Sequence, residues 1–314
     1  VTRDEIAIIG AGIVGLSSSL RLLEAGRSVA IYAREFAPDI TSSVAGAFWF
    51  PFGASPRRRA MDWGNRTRRA YEAMVREGVP GVRIAPLQMI FRSPIPGLEG
   101  AIADATLIPA RELPAGFAQG LRLSIPVVEP PLILRWAQER FLERGGRIER
   151  RELKSCDELL ADHRLVVNCS GIGAHELVPD PLVRPVRGEV LWVKRPEGLP
   201  DTVWMHEEGH VMTYVIPRSR DCVLGGTSEL GNWNRTPDPA QGAAIRRRCL
   251  ELEPALADAP IEAHHVGLRP GRPEVRLERE RRADDSTVIH NYGHGGAGFS
   301  LAWGCAEEVV TLAG

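Results

Sequence analysis

Lysine is almost missing from this chain. Lys154 and Lys194 are the only two in 314 residues, so its positive charge is nearly all arginine. An excess of either charge is missing too: 39 basic side chains face 40 acidic ones, a formal net charge of −1. That balance removes the electrostatic case for nucleic acid or an anionic membrane surface as partner. No apolar run approaches the ~20 residues that cross a bilayer, so no membrane span is expected. There is no Cys-x-x-Cys pair. The five cysteines (Cys156, Cys169, Cys222, Cys249, Cys305) are scattered and odd in number, which excludes a disulfide framework or zinc knuckle and fits a reducing compartment. Internal repeats and low-complexity segments are lacking. The first residues lead straight into an apolar strand rather than a signal-type segment, and Thr311-Leu312-Ala313-Gly314 is not a peroxisomal address. A cytoplasmic location is the expectation, and a homo-oligomer is left open.

What is present is the composition of an ordinary globular protein, 44% hydrophobic and 25% charged. Its length suggests about two domains at ~100–200 residues each. Two glycine-rich loops stand out, each following an apolar strand and leading into a helix. The first is Gly10-Ala11-Gly12-Ile13-Val14-Gly15, after Ile6, Ile8 and Ile9. The helix Ile13 to Glu24 stops at Gly26, and Ser28 to Tyr32 is a second strand, completing a βαβ unit. Such a loop brings backbone N–H groups and a helix N-terminus to a pyrophosphate. The acid expected about 20 residues further on for the ribose hydroxyls is Glu35, beside Arg34. The second loop, Gly293-His294-Gly295-Gly296-Ala297-Gly298, follows Val288 to Tyr292. Four glycines in six positions exceed what helix–strand packing usually needs. A second anion-friendly helix start suits a flavin, whose reduced ring carries negative charge near N1 and O2. FAD therefore fits better than a nicotinamide dinucleotide.

The rest of the chain reads as a second texture inserted twice. Residues 57–77 form an arginine-rich amphipathic helix, 79–131 short strands and loops, and Pro130-Pro131 opens a helix that runs to Glu143. Leu165 to Asn168 is a buried strand ending at Cys169-Ser170-Gly171. Strand-like runs follow at 189–193, 211–216 and 222–224, then a helix near 240–251. The expected fold is α/β: a Rossmann-type FAD-binding domain (1–52, 130–183 and 262–314) with an inserted antiparallel, β-rich substrate domain (53–129 and 184–261). One motif misleads. His206-Glu207-Glu208-Gly209-His210 matches a zinc-helix pattern, but Gly209 is a poor helix former and a strand follows, so no metal is expected. His264-His265 lacks a third ligand and reads as a polar strand end.

Seven stretches together carry a resemblance over nearly the whole chain: Ile8 to Ser17, Thr41-Ser42-Ser43-Val44-Ala45-Gly46, Val167-Asn168-Cys169-Ser170-Gly171, Tyr214-Val215-Ile216-Pro217, Gly225-Gly226-Thr227, Gly267-Leu268-Arg269-Pro270-Gly271-Arg272-Pro273, and His290-Asn291-Tyr292-Gly293-His294-Gly295-Gly296. The sequence resembles the D-amino-acid oxidases of the FAD-dependent DAO family, and the Arg-Pro-x-Arg-Pro and His-Asn-Tyr-Gly-x-Gly-Gly pair is the specific part. The resemblance implies that Arg269 grips the substrate carboxylate as a bidentate fork and that the Tyr214 hydroxyl meets the same group. It also implies cofactor contacts from Gly10, Gly12, Ile13, Val14, Gly15, Arg34, Glu35, Thr41, Ser42, Ser43, Gly46, Ser170, Gly171, Arg269, Gly293, Gly295, Gly296, Gly298, Phe299 and Ser300. The implied reaction is oxidative deamination of a D-amino acid with oxygen as acceptor.

Departures from the family pattern fall in the substrate pocket. A second active-site tyrosine of the animal enzymes becomes His210, their glutamine becomes Phe50, and another tyrosine becomes Ala297. Glu207 lies near the place where D-aspartate oxidases hold a second carboxylate, and would repel one. With Phe48, Trp49, Phe50 and Phe52, this argues for a neutral or apolar D-side chain. Oxidation of glycine, a secondary amine or a tailored amino acid remains the rival within the class. Outside it stand a flavin-binding protein without turnover and a nicotinamide-dependent dehydrogenase.

Overall fold

The computed structural model describes residues 3–51, 53–99, 102, 104–209 and 211–314; Phe52 and His210 fall outside the described residues. In chain order the strands are β1 (Ile6–Ile9), β2 (Val29–Ala33), β3 (Val82–Phe91), β4 (Thr106–Leu107), β5 (Gln119–Val128), β6 (Arg147–Arg150), β7 (Leu165–Asn168), β8 (Arg184–Lys194), β9 (Val203–Glu208), β10 (Val211–Pro217), β11 (Asp221–Gly225), β12 (Glu229–Leu230), β13 (Ile261–Gly271), β14 (Arg276–Arg281) and β15 (Thr287–Tyr292). The helices are α1 (Ile13–Glu24), α2 (Arg57–Arg76), α3 (Pro130–Glu143), α4 (Asp157–Leu160), α5 (Ala174–Leu177), α6 (Pro239–Leu252) and α7 (Gly298–Ala313). They divide into two compact units. The first comprises 1–82, 128–186 and 268–314; the second comprises 83–127 and 187–267.

The first unit is built on a six-stranded sheet in the order β14-β15-β7-β1-β2-β6. All pairings are parallel except β14 with β15. Numbered among themselves, the parallel strands run 3-2-1-4-5 across the sheet. The order reverses between β1 and β7, which is where open α/β sheets bind ligands at the carboxyl ends of their strands. Ile8, Ile31, Val167 and Ile289 are fully buried along it, each contributing roughly 1.5–3 kcal/mol of hydrophobic stabilisation. Helix α1 carries three consecutive buried serines. Ser17 donates across to the Ala302 carbonyl of α7 at 3.1 Å, while Ser18 and Ser19 turn back to Val14 and Gly15 carbonyls. Small, internally satisfied side chains let α7 pack closely there.

Residues 53–82 belong to this first unit, not to the inserted one. The arginine-rich surface of α2 disguised its other face. Trp63 is wholly buried and donates its indole N–H to Glu308 at 2.6 Å. A β-carbon on Gly304 of α7 would lie 2.2 Å from the Trp63 carbonyl oxygen, so the two helices meet backbone to backbone. Arg59 adds a bond to the Leu277 carbonyl at 3.0 Å.

The second unit holds most of a nine-stranded sheet ordered β12-β8-β11-β10-β9-β3-β5-β4, with β13 paired to β8. Strands β8, β11, β10 and β9 are antiparallel neighbours, whereas β3 meets β9 in parallel. Helix α6 lays Ile245, Cys249 and Leu252 into the same buried cluster as Val215 and Leu224. The misleading histidine motif lies on β9 and its turn. His206 bonds the Ile90 carbonyl through Nδ1 at 2.9 Å, and Gly209 turns the hairpin at φ +61°. The segment 79–131, expected as short pieces, holds two ten-residue strands, β3 and β5. No helix among the described residues is long and apolar enough to cross a membrane.

Candidate active site

The first glycine loop leaves β1 at the switch point and is held on both sides. Gly10 donates to the Tyr32 carbonyl, and Cys169 donates to the Ile9 carbonyl, each at 2.9 Å. Gly10 takes φ +106°, and a β-carbon there would press to 2.5 Å from the Cys169 carbonyl oxygen. Only glycine fits that position. At Gly15 the β-carbon would sit 2.0 Å from the Gly10 carbonyl oxygen. The start of α1, which includes Val14, has no acid in its first turn and no side-chain cap at Gly12. Ser42 reaches in instead: its Oγ accepts from the Ile13 N–H at 3.2 Å and would touch a β-carbon on Gly12 at 3.0 Å.

The remaining segments of the first unit converge on this loop. Thr41 donates its hydroxyl to the Leu268 carbonyl at 3.2 Å, joining the turn Thr41–Val44, which Gly46 follows, to the Arg269 segment. The Arg269 stem lies across Gly296, its Cδ 3.5 Å from where a β-carbon would stand. Gly298 faces Ile13 Cγ2 at 3.8 Å in the same sense, so the two glycine loops are neighbours. Ser170 is fixed by Asn168, whose Oδ1 accepts from its N–H at 3.1 Å and its hydroxyl at 2.6 Å. Gly171, at φ +59°, faces Pro270. Helix α7, like α1, starts without an acid or a side-chain cap. Phe299 gives its carbonyl to Tyr71 at 2.9 Å. The Ser300 Oγ accepts from the Phe50 N–H at 2.9 Å, and the Phe48 and Phe50 rings stand 5.9 Å apart. Ala297 is buried in one apolar cluster with Ile13 and Phe299. Arg34 and Glu35 sit beyond β2 as a loose pair at 3.6 Å, with Arg34 also 3.6 Å from Glu152.

This chemistry fits a bound dinucleotide. Two acid-free helix starts meet at one place, a setting that suits an anion. The Ser43 hydroxyl is buried there without a hydrogen-bond partner among the described residues. Gly293 and Gly295 take φ +83° and +55°, and nothing lies within 4 Å of a β-carbon built on Gly295. A family model for FAD-dependent oxidoreductases, DAO, matches residues 5–312. The chain belongs to the DAO family. Among its relatives, a D-amino-acid oxidase of Rubrobacter xylanophilus is 44% identical over 98% of this chain and 95% of that one. A D-amino-acid oxidase of Streptomyces coelicolor is 40% identical over 99% and 97%. A solved glycine oxidase from Bacillus cereus superposes with TM-score 0.84 at 20% identity, over 98% of this chain and 94% of that one, which places the DAO fold. FAD is the cofactor of the family.

In the second unit, Tyr214 sits on β10 opposite Gly225 of β11. Its ring occupies the space a side chain at 225 would need, since a β-carbon there would come within 2.1 Å of Cζ. On β8, the strand beside Gly225, lies a buried charge network that sequence reasoning missed. Arg187 and Glu189 on β8 pair at 2.6 Å, 3% and 0% exposed. Arg187 also donates to the Asn234 and Thr236 carbonyls at 2.6 and 2.7 Å. Glu189 accepts from the Asp238 N–H at 3.0 Å, lies 2.6 Å from His264 Nε2, and donates its own N–H to Thr227. The network clamps the segment 227–238. The alternating charges Arg187 and Glu189 in the apolar middle of β8 were its only signal, and charges are normally read as solvent-facing.

The second glycine loop also contains a titration. His294 is 5% exposed, and burial pushes its imidazole down to about 4 from an ordinary 6.5. The folded chain keeps it neutral while the unfolded chain charges it. Its contribution is therefore intact above pH 6.5 and is lost as pH falls toward about 4. His294→Gln should flatten that part of the stability curve. Thermal melts of both proteins across the window check this, and parallel curves would contradict it.

Proposed function

We propose that this protein is an FAD-dependent oxidase that deaminates neutral or apolar D-amino acids, with oxygen as final acceptor and hydrogen peroxide as product. The observation that carries the reading is the Arg269 stem lying across Gly296, in the loop where the two glycine-rich helix starts meet. The names of the relatives supply the handedness. The first glycine loop with Ser42 and Ser43 would hold the pyrophosphate side of FAD, and Gly295 to Ser300 its ring. Bound there, FAD supplies a two-electron acceptor for the α-hydrogen.

The chain's own part is binding and orientation. The Arg269 fork takes the carboxylate in two charge-assisted hydrogen bonds. Fixing the carboxylate fixes which face of the α-carbon is offered, which is how positioning lowers the barrier. No side chain is needed as base if the amine enters neutral. The imino acid hydrolyses in water to a 2-oxo acid and ammonia. Phe48 and Phe50, tied to α7 through Ser300, offer an apolar wall in which a second carboxylate would go unpaired. Five buried, unpaired cysteines agree with a cytoplasmic location.

Aerobic incubation with D-alanine, D-phenylalanine and D-aspartate tests the reading, with 2-oxo acid, ammonia and peroxide all quantified. The neutral substrates should yield the three products in equal amounts, and D-aspartate should react about tenfold more slowly or worse. Preference for D-aspartate would overturn the apolar pocket; turnover without peroxide would overturn oxygen as acceptor.

A further inference from the structure

Arg269 has a second arginine three residues on, and the pair is laid out in register along the second glycine loop. The Arg269 stem covers Gly296, and the Arg272 stem covers Gly293, where a β-carbon would lie 2.9 Å from Arg272 Cβ and Cδ. The two segments therefore run antiparallel, with one arginine as each rung. Only Pro270 and Gly271 separate the rungs. Pro270 has a fixed φ, and Gly271 is wedged so that a β-carbon would meet Val186 at 2.7 Å and the Arg184 carbonyl at 3.0 Å. A displacement of Arg272 has little slack to be absorbed before it reaches Arg269.

Arg272 is held by Asp180, from the segment before β8. Its Nε donates to Asp180 Oδ2 at 3.0 Å, and its Nη1 donates to the Glu274 carbonyl at 2.9 Å. The same Oδ2 accepts the Tyr292 hydroxyl at 2.8 Å, from the residue immediately before Gly293. Arg276 in turn donates to that hydroxyl at 2.7 Å, and Oδ1 accepts from the Leu182 N–H at 2.9 Å. One carboxylate, 7% exposed, thus joins the Arg269–Arg272 segment to the strand that feeds the glycine loop. Burial alone would raise its pKa, but the bonds from Tyr292, Leu182 and Arg272 outweigh this and hold it below the ordinary carboxylate value.

We propose that Asp180 is a positioning residue for substrate binding. By holding Arg272 over Gly293 and Tyr292 beside it, Asp180 sets where Arg269 presents its guanidinium along the cofactor loop. The inference rests on Arg269 being the carboxylate-binding group. It predicts a defect in carboxylate affinity rather than in FAD retention or the rate at saturation.

The test uses the holoenzyme and propanoate, the D-alanine skeleton without its amine, followed by perturbation of the flavin spectrum. Arg269→Lys comes first: it should weaken propanoate by about a hundredfold, since a fork is replaced by a point charge. Asp180→Asn should raise the propanoate Kd and the D-alanine KM about tenfold, as expected for a misplaced binding group, with FAD bound and the limiting reduction rate within about threefold. In the Arg269→Lys background Asp180→Asn should add nothing. Tyr292→Phe, which keeps the carboxylate and removes one donor, should show the same split at about threefold and decides the matter should Asp180→Asn fail to fold. Unchanged propanoate affinity in Arg269→Lys would overturn the carboxylate reading, and the proposal with it. Weak binding in Arg269→Lys beside normal propanoate affinity in Asp180→Asn and Tyr292→Phe would overturn the proposal alone. So would an Asp180→Asn defect confined to FAD retention or stability.

Discussion

Arg269→Ala is expected to purify yellow, with its FAD in place, and to be reduced by D-amino acids about 10²- to 10⁴-fold less efficiently. That range follows from two charge-assisted hydrogen bonds at about 1.5–3 kcal/mol each. Retention of FAD is expected because the loops that would hold the cofactor are fixed by other bonds. Gly10 is tied to Tyr32, Ile13 to Ser42, and Cys169 to Ile9. The side chain at 269 contributes its stem to the surface of Gly296. Rapid mixing with D-alanine, alongside the FAD-to-protein ratio, separates the two effects. A variant that reacts normally removes the carboxylate assignment.

Gly15→Ala should give the opposite phenotype, a folded protein that is nearly colourless. The added methyl group would stand 2.0 Å from the Gly10 carbonyl oxygen and 2.9 Å from its carbon. Neither side has room to give. Gly10 is anchored to β2, and Gly15 lies in the first turn of α1, whose buried Ser17 is bonded to α7. Overpacking of this kind costs about 1–3 kcal/mol, here taken largely from the loop's geometry, so FAD affinity should fall by about 10- to 100-fold. FAD titration and far-UV circular dichroism together check it. Undiminished FAD binding would mean that the loop can open without losing its ligand geometry.

The parts legible in the sequence were those where one physical requirement leaves a compact mark. Glycines placed directly after Ile6 to Ile9 and after Val288 to Tyr292 declared two close-approach loops, and both sit at strand ends of the parallel sheet. Short continuous apolar runs and period-3.6 patterns placed β1, α1, β2, α3 and β7 close to their observed bounds. Three kinds of feature were hidden. Pro86 and Pro126 lie within β3 and β5, and proline normally argues against a continuous strand. Strand β14, Arg276 to Arg281, is charged at all but one position, so Leu277, 2% exposed, was its sole core marker. The long-range clamps left little local trace: Asp180 is 92 residues from Arg272, and Arg187 reaches 47 residues to Asn234. Helix α2 was legible as a helix, but its domain was not: its polar composition outweighed the single stripe that carries Trp63 and Tyr71 onto α7, within the first unit.

The measurement closest to the central claim is anaerobic mixing of the purified holoenzyme with the D- and L-forms of alanine and phenylalanine, following loss of the oxidised-flavin absorption. The structure and its relatives predict bleaching by both D-forms and by neither L-form. Equal bleaching by the L-forms, or a yellow protein that no amino acid bleaches, would contradict the assignment of this site to D-amino-acid oxidation.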